Sequence, residues 1–237
     1  MQAVILAAGR GTRMGSKTDA LPKPMLMVGG RTLLEYKLAA LPPSVEEVVL
    51  VVGYQKEKIS DYFRNFFCGK KIRYVVQEEL KGTGDALLRA KPCISGKFIV
   101  MMGDDIYSAH DVDSLLSHEW GILVHKVKEP RVGGQVTFDS QNHVLDIVEG
   151  AMIREGGYLN TGLYVMNTDL FNHELVKLPG REEWGLPQTL LKVAGKKLQP
   201  VISTMWIQIT SPEDLLQAEL LLLSTPDTFR MKEYEGV

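Results

Sequence analysis

The feature that most constrains this chain stands at its start, where the apolar run Ala3-Val4-Ile5-Leu6-Ala7-Ala8 passes without a polar break into Gly9-Arg10-Gly11-Thr12-Arg13-Met14-Gly15. A short apolar run that ends in glycines reads as a strand buried on both faces and followed by a loop. Such strands belong to parallel sheets covered by helices, so an α/β architecture is expected. The loop has the composition of an anion site, because glycines let backbone N–H groups turn inward and admit a ligand where a Cβ would block it. It is neither a Walker loop, which ends in Gly-Lys-Ser/Thr, nor the GxGxxG dinucleotide fingerprint, whose third glycine is here Met14.

The same rhythm continues through the first half. Strand-like runs at Glu47 to Gly53, Ile72 to Gln77 and Phe98 to Met102 alternate with helical spacing from the N-cap Thr32 through Leu41, over Gln55 to Phe67 and over Gly84 to Ala90. These predict a parallel sheet with crossover helices on both faces. The second half changes character: Gly121 to Val127, Gly134 to Phe138, Val144 to Val148 and Tyr158 to Met166 are joined by short turns, as in an antiparallel extension. Ser211-Pro212-Glu213-Asp214 opens a last helix through Leu223. That helix is apolar nearly all round, which predicts either burial in the core or a subunit interface and makes a homodimer plausible.

Composition narrows the function. A net charge of −2 gives no global basic surplus, so nucleic acid is a poor partner and phosphate affinity must come from local arrangement. Cys68 and Cys93 form no zinc or disulfide pattern and the five histidines have no metal-type spacing, so a reducing cytoplasm is expected. No apolar stretch is long enough for a membrane span. No repeat or linker divides the chain, which therefore reads as one domain over residues 1–237.

Local chemistry is supplied by Leu21-Pro22-Lys23-Pro24-Met25-Leu26, where two prolines stiffen the backbone around one cation. Together, LAAGRGTRM and LPKPML resemble the paired signature of the sugar-1-phosphate nucleotidylyltransferases. The resemblance extends from about Gln2 to Leu223 and implies a Rossmann-like nucleotidyltransferase sandwich with a mixed, mostly parallel central sheet. Residues 1–110 would form the nucleotide-binding half, 111–225 the sugar-binding half and 226–237 a tail, with no C-terminal β-helix domain.

The resemblance also assigns roles. Leu6, Ala8, Gly9, Gly11, Thr12, Arg13, Gln77, Gly82 and Thr83 are expected to bind the nucleotide, with Gln77 reading the base through an amide that both donates and accepts. Arg13, Lys23 and Asp104 are expected to be catalytic, and Asp104, in Gly103-Asp104-Asp105, to hold Mg2+. Its neighbour Asp105 would orient it or cap the next helix. Gly134, Glu149, Asn160 and Thr161 are expected to bind the sugar, and Trp184 either lines that pocket or packs. Two positions depart from the family pattern. Gly150 stands where many relatives carry a lysine that contacts the sugar phosphate, and Gln208 replaces the aspartate of WxDxGTPEDL as the second metal ligand.

The reaction implied is direct attack of a sugar 1-phosphate oxygen on the α-phosphate of a nucleoside triphosphate, with release of pyrophosphate. The GTGDAL and GDD segments favour UTP or dTTP, by resemblance alone. Two alternatives remain at this point: a non-catalytic regulatory paralogue that binds sugar nucleotide, motivated by Gln208 and Gly150, and a choline-phosphate cytidylyltransferase on the same fold. A dinucleotide-dependent oxidoreductase is excluded by the missing third glycine and by Val52-Gly53-Tyr54, which offers no acid at the end of the second strand.

Overall fold

The computed structural model describes residues 1–224. Its first strand β1 (Gln2–Ala7) is followed by β2 (Glu47–Val52), the short β3 (Phe66–Phe67), β4 (Lys70–Val76) and β5 (Lys97–Met102). β1 pairs in parallel with both β2 and β5, and β2 with β4, so the centre of the sheet is the parallel stack expected from the sequence. Ala3 to Ala7 and Val48 to Val52 are all buried, as two-sided coverage requires. The covering helices include α1 (Leu33–Ala40), α2 (Lys56–Phe63) and α3 (Gly82–Ala90). Thr32 caps α1 in a full capping box: its hydroxyl accepts from the Glu35 N–H at 3.1 Å, and the Glu35 carboxylate accepts from the Thr32 N–H at 2.6 Å.

Several boundaries differ from the sequence reading, two of them at helix ends. α2 ends at Phe63 rather than Phe67, because Arg64 turns to φ 50° and Phe66–Phe67 folds back on Lys70–Lys71 through Cys68 and Gly69, both also at positive φ. α3 begins at Gly82, two residues before the expected Gly84.

The second half contains α4 (Ala109–Leu116), β6 (Gly121–Lys126), β7 (Arg131–Phe138), β8 (Val144–Ile153), β9 (Tyr158–Asn167), α5 (Leu186–Ala194), β10 (Gln199–Ile202) and α6 (Pro212–Ser224). β9 runs antiparallel to β5, β6 and β7, and so joins the parallel centre to the β7–β8 hairpin, while β10 adds to β6 in parallel. Two ladder irregularities interrupt this half, one between Gly133 and Gln135 on β7 and one between Asn160 and Tyr164 on β9.

The last helix is not buried. Ala218 faces the core, whereas Leu216 and Leu220 are each 68% exposed and Leu223 is 74% exposed, which overturns burial in the core, the first of the two alternatives expected for this helix. Its start is held by Asp214, whose carboxylate accepts from the Thr210 and Ser211 N–H groups at 2.6 and 2.7 Å. Residues 226–237, the expected tail, lie outside the described residues. No helix among the described residues is long and apolar enough to cross a membrane.

Candidate active site

The carboxyl ends of β1, β4 and β5 and the irregular stretches of β7, β8 and β9 open on one cleft of about 910 Å³. Ligands of open α/β sheets gather at this edge. Every residue singled out for chemistry lines it: Leu6, Ala8, Gly9, Gly11, Thr12, Arg13, Lys23, Gln77, Gly82, Thr83 and Asp104 from the first half, and Gly134, Glu149, Asn160, Thr161 and Gln208 from the second.

Packing explains why the two parts of the N-terminal signature belong together. Gly11 sits at φ 65°, and a Cβ on it would lie 2.7 Å from Cβ of Lys23, so glycine is required both by conformation and by contact. Met14, where a dinucleotide loop would carry its third glycine, is buried in a cluster with Leu26, Leu33, Ile106 and Ile209 and anchors the loop to the rest of the molecule.

Lys23 is the hinge pin of the cleft. Its ammonium, 5% exposed as a residue, donates to Asp104 Oδ2 at 2.8 Å and to the carbonyl of Ile209. Arg13 is exposed on the same wall, and none of the described residues pairs with it. Asp105 does not cap the next helix: Ser108 caps α4, accepting from the Asp111 N–H at 3.1 Å. Asp105 instead accepts from Trp206 Nε1 at 3.2 Å and from the Ile209 N–H at 3.0 Å, which draws the 206–209 segment beside Asp104 and places Gln208 in the cleft. Burial raises the Asp105 carboxyl, with the Asp104 charge adding to the rise. Burial also lowers the ammonium of Lys37, a fully buried lysine that donates to the Asp105 carbonyl.

On the sugar side of the family pattern, Gly134 and Glu149 face each other across the β7–β8 irregularity. A Cβ on Gly134 would meet both carboxylate oxygens of Glu149 at 3.1 Å. Burial raises the Glu149 carboxyl above its ordinary range, with Gln188 and Arg181 acting against the rise. Asn160 donates to the Tyr164 hydroxyl at 2.8 Å and accepts from the Gly162 N–H at 3.0 Å. Thr161 is buried and donates to the Leu123 carbonyl at 2.9 Å, so its side chain braces the bulge of β9.

The sequence reading missed Arg181 and Gln188, which also line the cleft. Arg181 lies in the segment that drew attention only for Trp184, and a cation near an expected phosphate site was the available signal. Trp184 itself packs on the turn that opens α3, its N–H donating to the Lys81 carbonyl at 2.9 Å.

Among the described residues no cluster of three or more His, Cys, Asp or Glu forms a protein cage for a metal. Mg2+ does not need one, since a carboxylate with phosphate oxygens and water can fill its octahedron. Asp104, with its side chain 33% exposed, fits that requirement. Gln208 fits less well, because its Oε1 already accepts from Arg131.

Comparison with known proteins agrees with this geometry. The nucleotidyl transferase family model matches residues 2–224. The bifunctional protein GlmU of Methanocaldococcus jannaschii is 32% identical over 96% of this chain and 56% of its own length. This chain thus spans about half the length of the GlmU relatives it matches. The D-glycero-alpha-D-manno-heptose 1-phosphate guanylyltransferase of Campylobacter jejuni is 30% identical over 90% of this chain and 96% of its own. HddC from Yersinia pseudotuberculosis, also known complexed with GMP-PN, has a TM-score of 0.73 at 26% identity, covering 93% of this chain and 99% of that one. The signature, the cleft it builds and these relatives together place the chain in the nucleotidyl transferase family, among the sugar-1-phosphate nucleotidylyltransferases.

Proposed function

We propose that the cleft transfers the nucleotidyl group of UTP or dTTP to a sugar 1-phosphate, giving a nucleotide sugar and pyrophosphate. The observation that carries this reading is the Lys23 ammonium, fixed between Asp104 and the Ile209 carbonyl directly beside the Gly11 loop. Cations held in place at a phosphate loop are what phosphoryl chemistry requires, since its barrier is mainly one of charge and alignment.

In this reading Gly9, Gly11 and Thr12 cradle the triphosphate with backbone N–H groups, and the unpaired Arg13 meets the transferring and leaving phosphates. Lys23 stands between nucleotide and sugar phosphate. Glu149 accepts from sugar hydroxyls, the bare Gly134 lets its backbone approach the ring, Asn160 and Thr161 shape the pocket wall, and Arg181 supplies a cation on the sugar side, where Gly150 supplies none. The attacking phosphate oxygen is ionised at neutral pH, so the chain needs no general base. Asp104 would hold Mg2+, which when bound neutralises charge on the phosphates.

The Arg131–Gln208 contact favours one other reading, a non-catalytic sugar-nucleotide sensor, because it occupies the amide where the family pattern expects a second anionic ligand. Pyrophosphate release with magnesium, across a matrix of nucleoside triphosphates and sugar 1-phosphates, separates the two. Turnover of one pair that is lost in Asp104→Ala is the expected result. Tight nucleotide-sugar binding with no turnover for any pair would make the chain a sensor.

A further inference from the structure

One buried network runs from the cleft into the protein behind Gln77, the residue expected to read the base. Gln77, at the end of β4 and 4% exposed, uses its Nε2 twice, donating to Asp85 Oδ2 at 2.8 Å and to the Gly82 carbonyl at 3.2 Å. Both partners only accept: a carbonyl has no proton to give, and the Asp85 carboxylate lies opposite Arg89, whose Nη2 is 3.3 Å from its Oδ1 one helical turn on. The amide therefore cannot be flipped, since reversal would set an oxygen against two acceptors. Both N–H groups of Gln77 are spent inside the protein. No described residue donates to its Oε1, and Gln77 lines the cleft, so the side chain offers a single acceptor to whatever lies there.

This orientation changes what Gln77 can recognise. A free carboxamide pairs with either kind of base edge by rotating. A locked one that shows only oxygen accepts from a ring N–H, as in uracil, thymine or guanine, whereas at the same edge of cytosine or adenine it meets a ring lone pair and can accept only if the base shifts to bring its exocyclic amine opposite. We propose that Asp85 is a positioning residue for base selection. By fixing the Gln77 amide with its oxygen toward the cleft, it favours nucleoside triphosphates whose base carries a ring N–H over those of cytosine and adenine. The proposal rests on the reading of Gln77 as the residue that meets the base.

The test is the affinity of UTP, GTP, CTP and ATP by titration calorimetry, which needs no turnover, on the full chain and on Asp85→Asn, Asp85→Ser and Gln77→Ala. Asp85→Asn is nearly isosteric and can donate to Gln77, allowing its amide to reverse. Asp85→Ser keeps a polar group on the same turn in case the first variant folds poorly, which a thermal melt reports. The full chain is expected to prefer UTP or GTP over CTP by tenfold or more, on the order expected for one hydrogen bond that is made or opposed. In the Asp85 variants that ratio shrinks to within about threefold of unity, while binding of inorganic pyrophosphate stays unchanged. A full chain that prefers CTP or ATP overturns the proposal. So do Asp85 variants that weaken every triphosphate equally, which marks a purely structural residue. If Gln77→Ala leaves all the ratios as they were, Gln77 does not meet the base and the reading beneath the proposal fails. If Gln77→Ala changes the ratios and Asp85→Asn does not, only the role of Asp85 is lost.

Discussion

The two halves of the cleft are built by different means. In the first half, residues 1–110, the groups that face the cleft sit mostly at the carboxyl ends of parallel strands, and the central strands β1, β2 and β5 are buried on both faces. In the second half four of them sit on defects within antiparallel strands, Gly134 and Glu149 at one break in register and Asn160 and Thr161 at the other, while Arg181, Gln188 and Gln208 reach in from outside the strands. A loop can be tuned for one anion without disturbing its sheet, whereas a bulge must keep its strands paired while it aims a side chain. Strong, fixed charge is therefore expected in the first half and graded, shape-dependent contact in the second.

The largest effect should come from removing fixed charge in the first half. Asp104→Ala and Lys23→Met are each expected to lower kcat for pyrophosphate release by about 10²–10³, the scale of one preorganised electrostatic contact. A loss below tenfold for both would break the contrast. Next is Lys37→Met, which leaves the Asp105 carbonyl and a buried carboxylate without their cation. It should cost about 3 kcal/mol of stability in urea unfolding, and an unchanged midpoint would show that the 206–209 segment is held by other contacts.

In the second half, Glu149→Gln is expected to raise KM for the sugar phosphate about tenfold, with kcat little changed, as loss of a single charged acceptor would do. The pH dependence has a definite sign. Because burial raises its carboxyl, Glu149 is protonated, losing its charge and turning one acceptor oxygen into a donor, at a higher pH than a free glutamate. The advantage of the native enzyme over Glu149→Gln should therefore narrow as pH falls, and an advantage constant with pH would place that carboxylate away from the sugar. The smallest effect concerns the missing lysine. Gly150 lies at φ 70°, so Gly150→Lys should cost about 1 kcal/mol in thermal melts even though a Cβ there meets no atom within 4 Å. If it also lowers KM for the sugar phosphate, the site lacks a cation there, and if KM is unmoved Arg181 suffices.

The same contrast governs what could be read from the sequence. The parallel strands were legible because two-sided burial leaves uninterrupted apolar runs such as Val48 to Val52, and the loop after β1 because Gly11 has a backbone reason to be there. The β7–β8 hairpin was read too short at both ends, stopping at Gly134 and Val148, where the register breaks and the alternation with it. Arg181 escaped notice because a lone arginine in a loop has no periodicity to mark it. The position of Asp105 depends on partners about a hundred residues away, Trp206 and Ile209, which no local pattern reveals. The placement of α6 stayed open between core and interface for a related reason: its apolar content was visible, but which face the core would take depended on the cluster around Ala218.

The bond from Lys23 to the Ile209 carbonyl spans 186 positions of sequence. Chains emerge from the ribosome in order, and contacts this remote close late and slowly. The glycine loop and its lysine are thus made first yet gain their last fixed partner only after the 206–209 segment has been synthesised. During that interval a buried-to-be ammonium and an open anion loop are exposed together, and a nascent chain at that stage should bind polyphosphate loosely and without discrimination before it acquires selectivity.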